Sequence, residues 1–436
     1  MTIGNTTQTG SLLIRGGRVI DPSTRFDAIA DVYIENQRIH SIGTNLDLPA
    51  DRVIDATGMI VSPGFIDPHV KLGEPGCEED ETIDSGTAAA VAGGFTTIAA
   101  LPDTTPVVDS RAAAEFVSRQ AERADRCHVV PLGAVTRQVL GEELSEIGQL
   151  VDGGAVGFTD GKRVIANPEI MRRALQYAGM FDRAILHHPQ SPELTAGGVM
   201  HDGYWSTRLG LRGIPAAAEE IVVRRDIALA EHTGGRIHLM SISSLNSVDE
   251  VCRARRRGVR VSADVSPQHL LLSDESLKNY ESCYKVSPPL RTQPHIEALI
   301  AGLKEGTIDI LCADHLPWAI EKTDRELDLT PFGIPGLETL LPMGIRALIE
   351  PGHLSWIEFL SKLTTGPAAL LGLDTGRLQT GAPADITILD PQIRWQIDAT
   401  KFHTLSRNTP FDKWDVQGKV QYTIVSGSIR YPFNSE

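Results

Sequence analysis

The chain has 436 residues, 41% of them hydrophobic and 22% charged, and a formal net charge of −15. That length exceeds a single ordinary core and predicts a large domain with a smaller companion. The excess of 56 acidic over 41 basic residues argues against nucleic acid and anionic membrane surfaces as partners. No apolar run reaches the length of a membrane span, and the polar start, Met1 to Gly10, lacks the basic-then-apolar pattern of a secretory signal. Cys77, Cys127, Cys252, Cys283 and Cys312 are scattered, which fits a reducing, cytoplasmic setting better than a disulfide framework.

In chain order, strand-like runs come first: Ser11–Arg15, Val32–Glu35, Arg38–Ile42 and Arg52–Asp55, with turns at Gly16-Gly17, Asn36-Gln37 and Gly43. The middle then alternates. Candidate strands are Gly64–Asp67, Thr96–Leu101, His128–Leu132, Ala155–Phe158, Ala184–Leu186, Ile237–Met240, Arg260–Asp264 and Ile308–Cys312. Helix-like stretches such as Pro168–Ala178 and Ala216–Arg225 lie between them. The chain closes on two further strands, Asp385–Leu389 and Val420–Val425. This order predicts an α/β protein. A (β/α)8 barrel over 63–373 would be joined to a small β-sandwich built from 1–62 and 374–436.

In such a barrel the chemistry sits where strands end and βα loops begin. The first strand runs Pro63-Gly-Phe-Ile-Asp-Pro-His-Val-Lys71, and residues two apart on a strand face the same way. Asp67, His69 and Lys71 should therefore project together. A His-x-His pair there would grip a divalent ion, whereas a protonated lysine has no lone pair to give. The other strand ends supply Asp103, Asp160, His187-His188, Ser241, Asp264 to His269, and Asp314-His315. Imidazoles and carboxylates of this kind form an ordinary zinc ligand set.

Several longer passages resemble the class I branch of the dihydroorotases, in the amidohydrolase superfamily. They are Pro63–His69, Glu74-Pro-Gly76, Gly93-Gly-Phe-Thr-Thr97, Leu209–Glu220, Pro288-Pro-Leu-Arg291, Asp314-His315, Phe332–Thr339, Gly381–Asp385 and Ser406–Phe411. The resemblance implies the same barrel-plus-sandwich fold and hydrolysis, or reversible formation, of the cyclic amide of dihydroorotate in pyrimidine synthesis. It also implies zinc, which activates a water, and an aspartate at the eighth strand that shuttles the proton.

Carried over position by position, the resemblance implies metal ligands at His69, Asp160, His188 and Asp314, with Asp314 also catalytic. The register at Asp160 is open by one residue, because the family often carries two acids there. Other family positions have changed. The second histidine of the pair is Lys71, and the strand-six histidine is Ser241. The substrate-carboxylate arginine is Gly73, two asparagines are Asp103 and Ser287, and a late histidine is Trp318. An ammonium about 4 Å from a divalent ion would be repelled by roughly 8 kcal/mol at an effective dielectric of about 20. Lys71 is accordingly expected in the vacated ion position, paired with Asp160 or Asp314, and at most one zinc ion is expected.

Two functional readings follow. In the first the chain is a catalytically impaired, homo-oligomeric member of the family, a non-catalytic subunit with aspartate carbamoyltransferase, as the resemblance implies for such copies. In the second it remains a cyclic amidohydrolase with an altered mononuclear site, acting on dihydroorotate or a related cyclic amide. Cys312, His238 and His269 are expected to pack or hydrogen-bond within the barrel rather than to ligate, and His187 to pack beside His188.

Overall fold

The computed structural model describes residues 10–433; the polar N-terminal reading lies almost wholly outside them. Eight short parallel stations form the barrel. The first three strands are Phe65–Val70, Phe95–Ala100 and His128–Pro131. Strands Ala184–His187, Arg236–Leu239, Val261–Val265 and Ile310–Leu311 make the other arc. Between the arcs the predicted fourth strand is reduced to Phe158, which bridges Gly133 on one side and Ile185 on the other. The barrel closes through Lys71 N–H donating to His315 O at 3.1 Å. Strands one and two are buried along their whole length, as expected where helices cover a parallel sheet.

Local chemistry explains the helices that frame these strands. Pro168–Gly179 begins with proline in the first turn and with Asn167, whose side chain accepts from Glu169 N–H. Ala217–Thr233 runs eight residues beyond the sequence estimate of its end and stops at Gly234, in the left-handed region at φ 69°. Nothing before that glycine breaks a run of good helix formers. No helix among the described residues is long and apolar enough to cross a membrane.

Strands from both ends of the chain form one eight-stranded sheet. The Asn36-Gln37 turn carries φ of 51° and 66°, the left-handed pair a tight hairpin requires, and pairs Glu35 with Arg38. Ile60–Pro63 is the seam. It runs parallel to Arg18-Val19 and antiparallel to Ile386–Leu389, then passes through Gly64 into the first barrel strand. The sheet curls round its own apolar core, which takes Ile14, Val32 and Ile54 from one end and Ile386, Ile388 and Ile424 from the other. The strands Ile386–Gln396 and Asp415–Val425 extend beyond the sequence estimate. The additional length of the first alternates half-buried and exposed residues and that of the second buried and more exposed ones, rather than forming an apolar run.

Sheet and barrel are fastened by Thr387 Oγ1 donating to Gly94 O and Thr423 Oγ1 donating to Val91 O, each at 2.6 Å. At their base His128 Nε2 lies 3.3 Å from Asp385 Oδ1, while Ser426 N–H also donates to that oxygen. The hydrogen bond to Asp385 raises the His128 pKa; burial opposes it, the Asp385 charge adds to it and Arg430 subtracts. A group whose folded-state pKa is raised stabilises below its unfolded value and loses that contribution as pH rises through the folded one. Replacing His128→Asn should therefore cost about 0.5–1 kcal/mol near pH 6, a solvent-screened magnitude, and less near pH 9. Paired urea titrations at the two pH values measure this; a cost that grows with pH contradicts the assignment.

Candidate active site

At the centre of the barrel mouth lies a carboxylate outside the expected ligand set. Asp264, near the end of strand seven, is fully buried and accepts four hydrogen bonds. His69 Nε2 and His238 Nε2 donate to Oδ2 at 2.8 Å each, and Ser241 N–H (2.6 Å) and the Cys312 thiol (3.1 Å) donate to Oδ1. Burial alone would raise the pKa of Asp264, but His69 and His238 together hold it well below the ordinary carboxylate range. Burial likewise works to depress His69, and the charge and hydrogen bond of Asp264 outweigh it, so its pKa is raised. The result is an ionised carboxylate held between two imidazole N–H groups. On strand one, Asp67 accepts from Ala313 N–H at 2.6 Å and from His69 N–H at 3.1 Å, tying the first strand to the last. Burial pushes Asp67 up to about 6.

The remaining ligand positions are placed as follows. Asp160 accepts from Thr136 N–H at 2.9 Å and from Thr136 Oγ1 at 2.5 Å, on the strand-three loop. Asp314 Oδ1 is 2.6 Å from the Lys162 ammonium and accepts from Ser241 Oγ at 3.2 Å. His188 Nε2 lies 3.0 Å from Ser287 Oγ, and its Nδ1 is buried without a partner. Burial, with the Lys162 charge next, drives the His188 pKa well below its usual value, so the ring is neutral. His187 faces away, with Nδ1 2.6 Å from Asp226, and accepts from Ile165 N–H at Nε2. It thereby fixes the loop that carries Lys162. His238 Nδ1 meets Ser262 Oγ and His269 meets Ser266 Oγ and Pro288 O, while the burial of Cys312 keeps its thiol protonated.

Lys71 does not enter the ion position, and the expected pairing with Asp160 or Asp314 is corrected. Its ammonium sits 3.8 Å from the centroid of the Trp318 ring. Two altered positions thus satisfy one another as a cation–π pair. Trp318 is held by its indole N–H donating to Phe332 O at 2.9 Å. Lys285 pins the same loop by donating to Leu327 O and Thr330 O, both at 2.6 Å. The cation on Asp314 is Lys162, which the sequence reading passed over. A lysine two residues beyond Asp160, just after a strand end, was the available signal. Alternation along Val261–Val265, which puts Ser262 and Asp264 on one face, was the signal for Asp264.

These residues do not fit a zinc ion. Three or four protein donors are needed. Here His69 Nε2 holds a proton against Asp264, Asp160 is spent on Thr136 and Asp314 on Lys162, leaving only His188 Nδ1 without a partner. The predicted quartet forms no close ligand group among the described residues. His69, Asp264 and Cys312 do lie within 4.8 Å of one another, as partners in the hydrogen bonds described above. The positions expected to contact substrate are Gly73, Asp103 and Ser287. Gly73 has φ 67°, and a Cβ there would stand 2.5 Å from Glu81 O and 2.6 Å from Cys77 O, so this turn has no room for an arginine. Asp103 packs against Gly161 on the Lys162 loop, and Ser287 is held by His188.

Removing the buried carboxylate should strand two imidazoles and a backbone N–H. Asp264→Ala is expected to lower stability by about 3–5 kcal/mol, read from the urea midpoint by circular dichroism. A loss below about 1 kcal/mol would show that the network does not organise the mouth.

Comparison with known proteins agrees with this architecture. Residues 58–247 match the family model described as dihydro-orotase-like, and 332–431 match the amidohydrolase family. A dihydroorotase of Acetivibrio thermocellus is 42% identical over 96% of this chain and 98% of its own length. One from Pelotomaculum thermopropionicum is 44% identical over 96% and 98%. Among solved structures, the L-hydantoinase (dihydropyrimidinase) of Arthrobacter aurescens superposes with a TM-score of 0.86 at 25% identity, covering 96% of this chain and 95% of its own. With the barrel, the two-ended sheet and relatives matching along nearly the whole chain, this protein belongs to the dihydroorotase family.

Proposed function

We propose that the chain is a dihydroorotase-family protein of pyrimidine biosynthesis that no longer turns over dihydroorotate and serves as a non-catalytic, homo-oligomeric subunit with aspartate carbamoyltransferase in the cytoplasm. The observation that carries this reading is the engagement of the ligand positions by protein partners: His69 with Asp264, Asp160 with Thr136, Asp314 with Lys162. A general base must be free to take a proton, and an ammonium at 2.6 Å ties up the carboxylate at the catalytic position. The altered substrate contacts point the same way. Dihydroorotate is an anion; Gly73 offers it no charge and Asp103 would repel it.

One observation favours the second reading. The unpartnered Nδ1 of His188 is a neutral imidazole nitrogen inside the mouth, the form that binds zinc. A mononuclear cyclic amidohydrolase would use it, with Asp314 released from Lys162 to act as the base.

Dihydroorotate hydrolysis by purified protein with added zinc, against an Asp314→Asn control, separates the two. The expected result is no turnover above the control, with substoichiometric zinc after dialysis. Zinc-dependent turnover that the control loses would overturn the non-catalytic assignment. Co-expression with aspartate carbamoyltransferase should yield a complex that survives size exclusion; two separate species would remove that partner.

A further inference from the structure

We propose that Lys162 is a built-in cation that takes over the charge of the divalent ion at the barrel mouth, neutralising Asp314 and converting a metal site into an internal ion pair. The inference rests on the preceding reading that no catalytic ion is bound.

The coordination of the ammonium carries the argument. An ammonium has three donors, and this one has three oxygen acceptors from three different strand-end segments. They are Asp314 Oδ1 at 2.6 Å after strand eight, Ser241 Oγ at 3.4 Å after strand six, and Ser287 O at 3.3 Å on the loop beyond strand seven. Asp314 and Ser241 both hold left-handed backbone, φ 48° and 51°, a conformation uncommon for residues with a side chain. Both nonetheless meet at one nitrogen.

Charge balance points to the same residue. The Asp314 side chain is 2% exposed and that of Lys162 19%, so the carboxylate has left water and needs a compensating charge. The other nearby lysine, Lys71, is taken by Trp318, and no second ion pair to Asp314 is present among the described residues.

The loop is built to deliver the charge. Ile165 N–H donates to His187 Nε2 at 2.9 Å, Arg225 Nη1 donates to Ala166 O at 3.0 Å, and Gly161 lies against Asp103. Lys162 is therefore held at both ends of its loop, and little backbone freedom is left to lose when the ion pair forms. A divalent ion entering the mouth would meet a fixed like charge.

Thermal melting of the wild-type protein, Lys162→Met, Lys162→Arg and Lys162→Met/Asp314→Asn tests the proposal. Lys162→Met, which buries an uncompensated carboxylate, should lower Tm by about 5 °C. The double variant, neutral at both positions, should recover most of that loss, and Lys162→Arg should lie near wild type. Added magnesium or zinc should raise the Tm of Lys162→Met more than that of wild type. If Lys162→Met does not fold while the double variant does, the charge argument stands. A Lys162→Met protein as stable as wild type, or a double variant no better than the single, overturns the proposal. Zinc retained stoichiometrically by the dialysed wild-type protein is a separate result and overturns the preceding reading instead.

Discussion

A carboxylate withdrawn from water costs several kcal/mol unless charge and hydrogen bonds replace its hydration, and the mouth of this barrel is organised around meeting that demand at Asp264. Its oxygens collect N–H groups from His69 on strand one and His238 on strand six, the backbone of Ser241, and the thiol of Cys312 on strand eight. Three other strands are thus keyed to one side chain on strand seven. Because Asp264 fixes where the N–H of His69 points, it also decides that this ring serves as a hydrogen-bond donor.

Around that hub the other polar side chains of the mouth come in paired sets. Lys71 and Trp318 stack on one another. Ser241 contributes a hydroxyl to Asp314 where the pattern has an imidazole. Lys162 supplies the positive charge that Asp314 requires. Substitutions that only damaged a site would leave buried polar groups unsatisfied. In this mouth the side chains of Asp160, Asp264 and Asp314 all have partners, whereas His188 Nδ1 and His315 Nε2 are buried without a hydrogen bond.

The fold was legible because its signals are local. Buried parallel strands read as apolar runs, Asn36-Gln37 as a turn, and the stretch from Pro168 as a helix, each by short-range sterics and hydrogen bonding. The exceptions also have local reasons. Strand four is reduced to Phe158, which bridges Gly133 and Ile185. The strands after Leu389 and before Val420 lengthened, since half-exposed alternation gives no apolar run.

The candidate site was legible only in part. Sequence alone determined the family, the barrel and the strand ends at which chemistry would sit, because strand register and motif spacing fix residue type against position. Tertiary structure decided what those residues do. Whether Lys71 or Lys162 reaches Asp314, and whether His69 points to an ion or to Asp264, depends on loops far apart in sequence converging within about 3 Å, the reach of a hydrogen bond. Side-chain partners across a barrel are chosen by that convergence and by the cost of burying unpaired charge, and neither is written in any single segment of the chain.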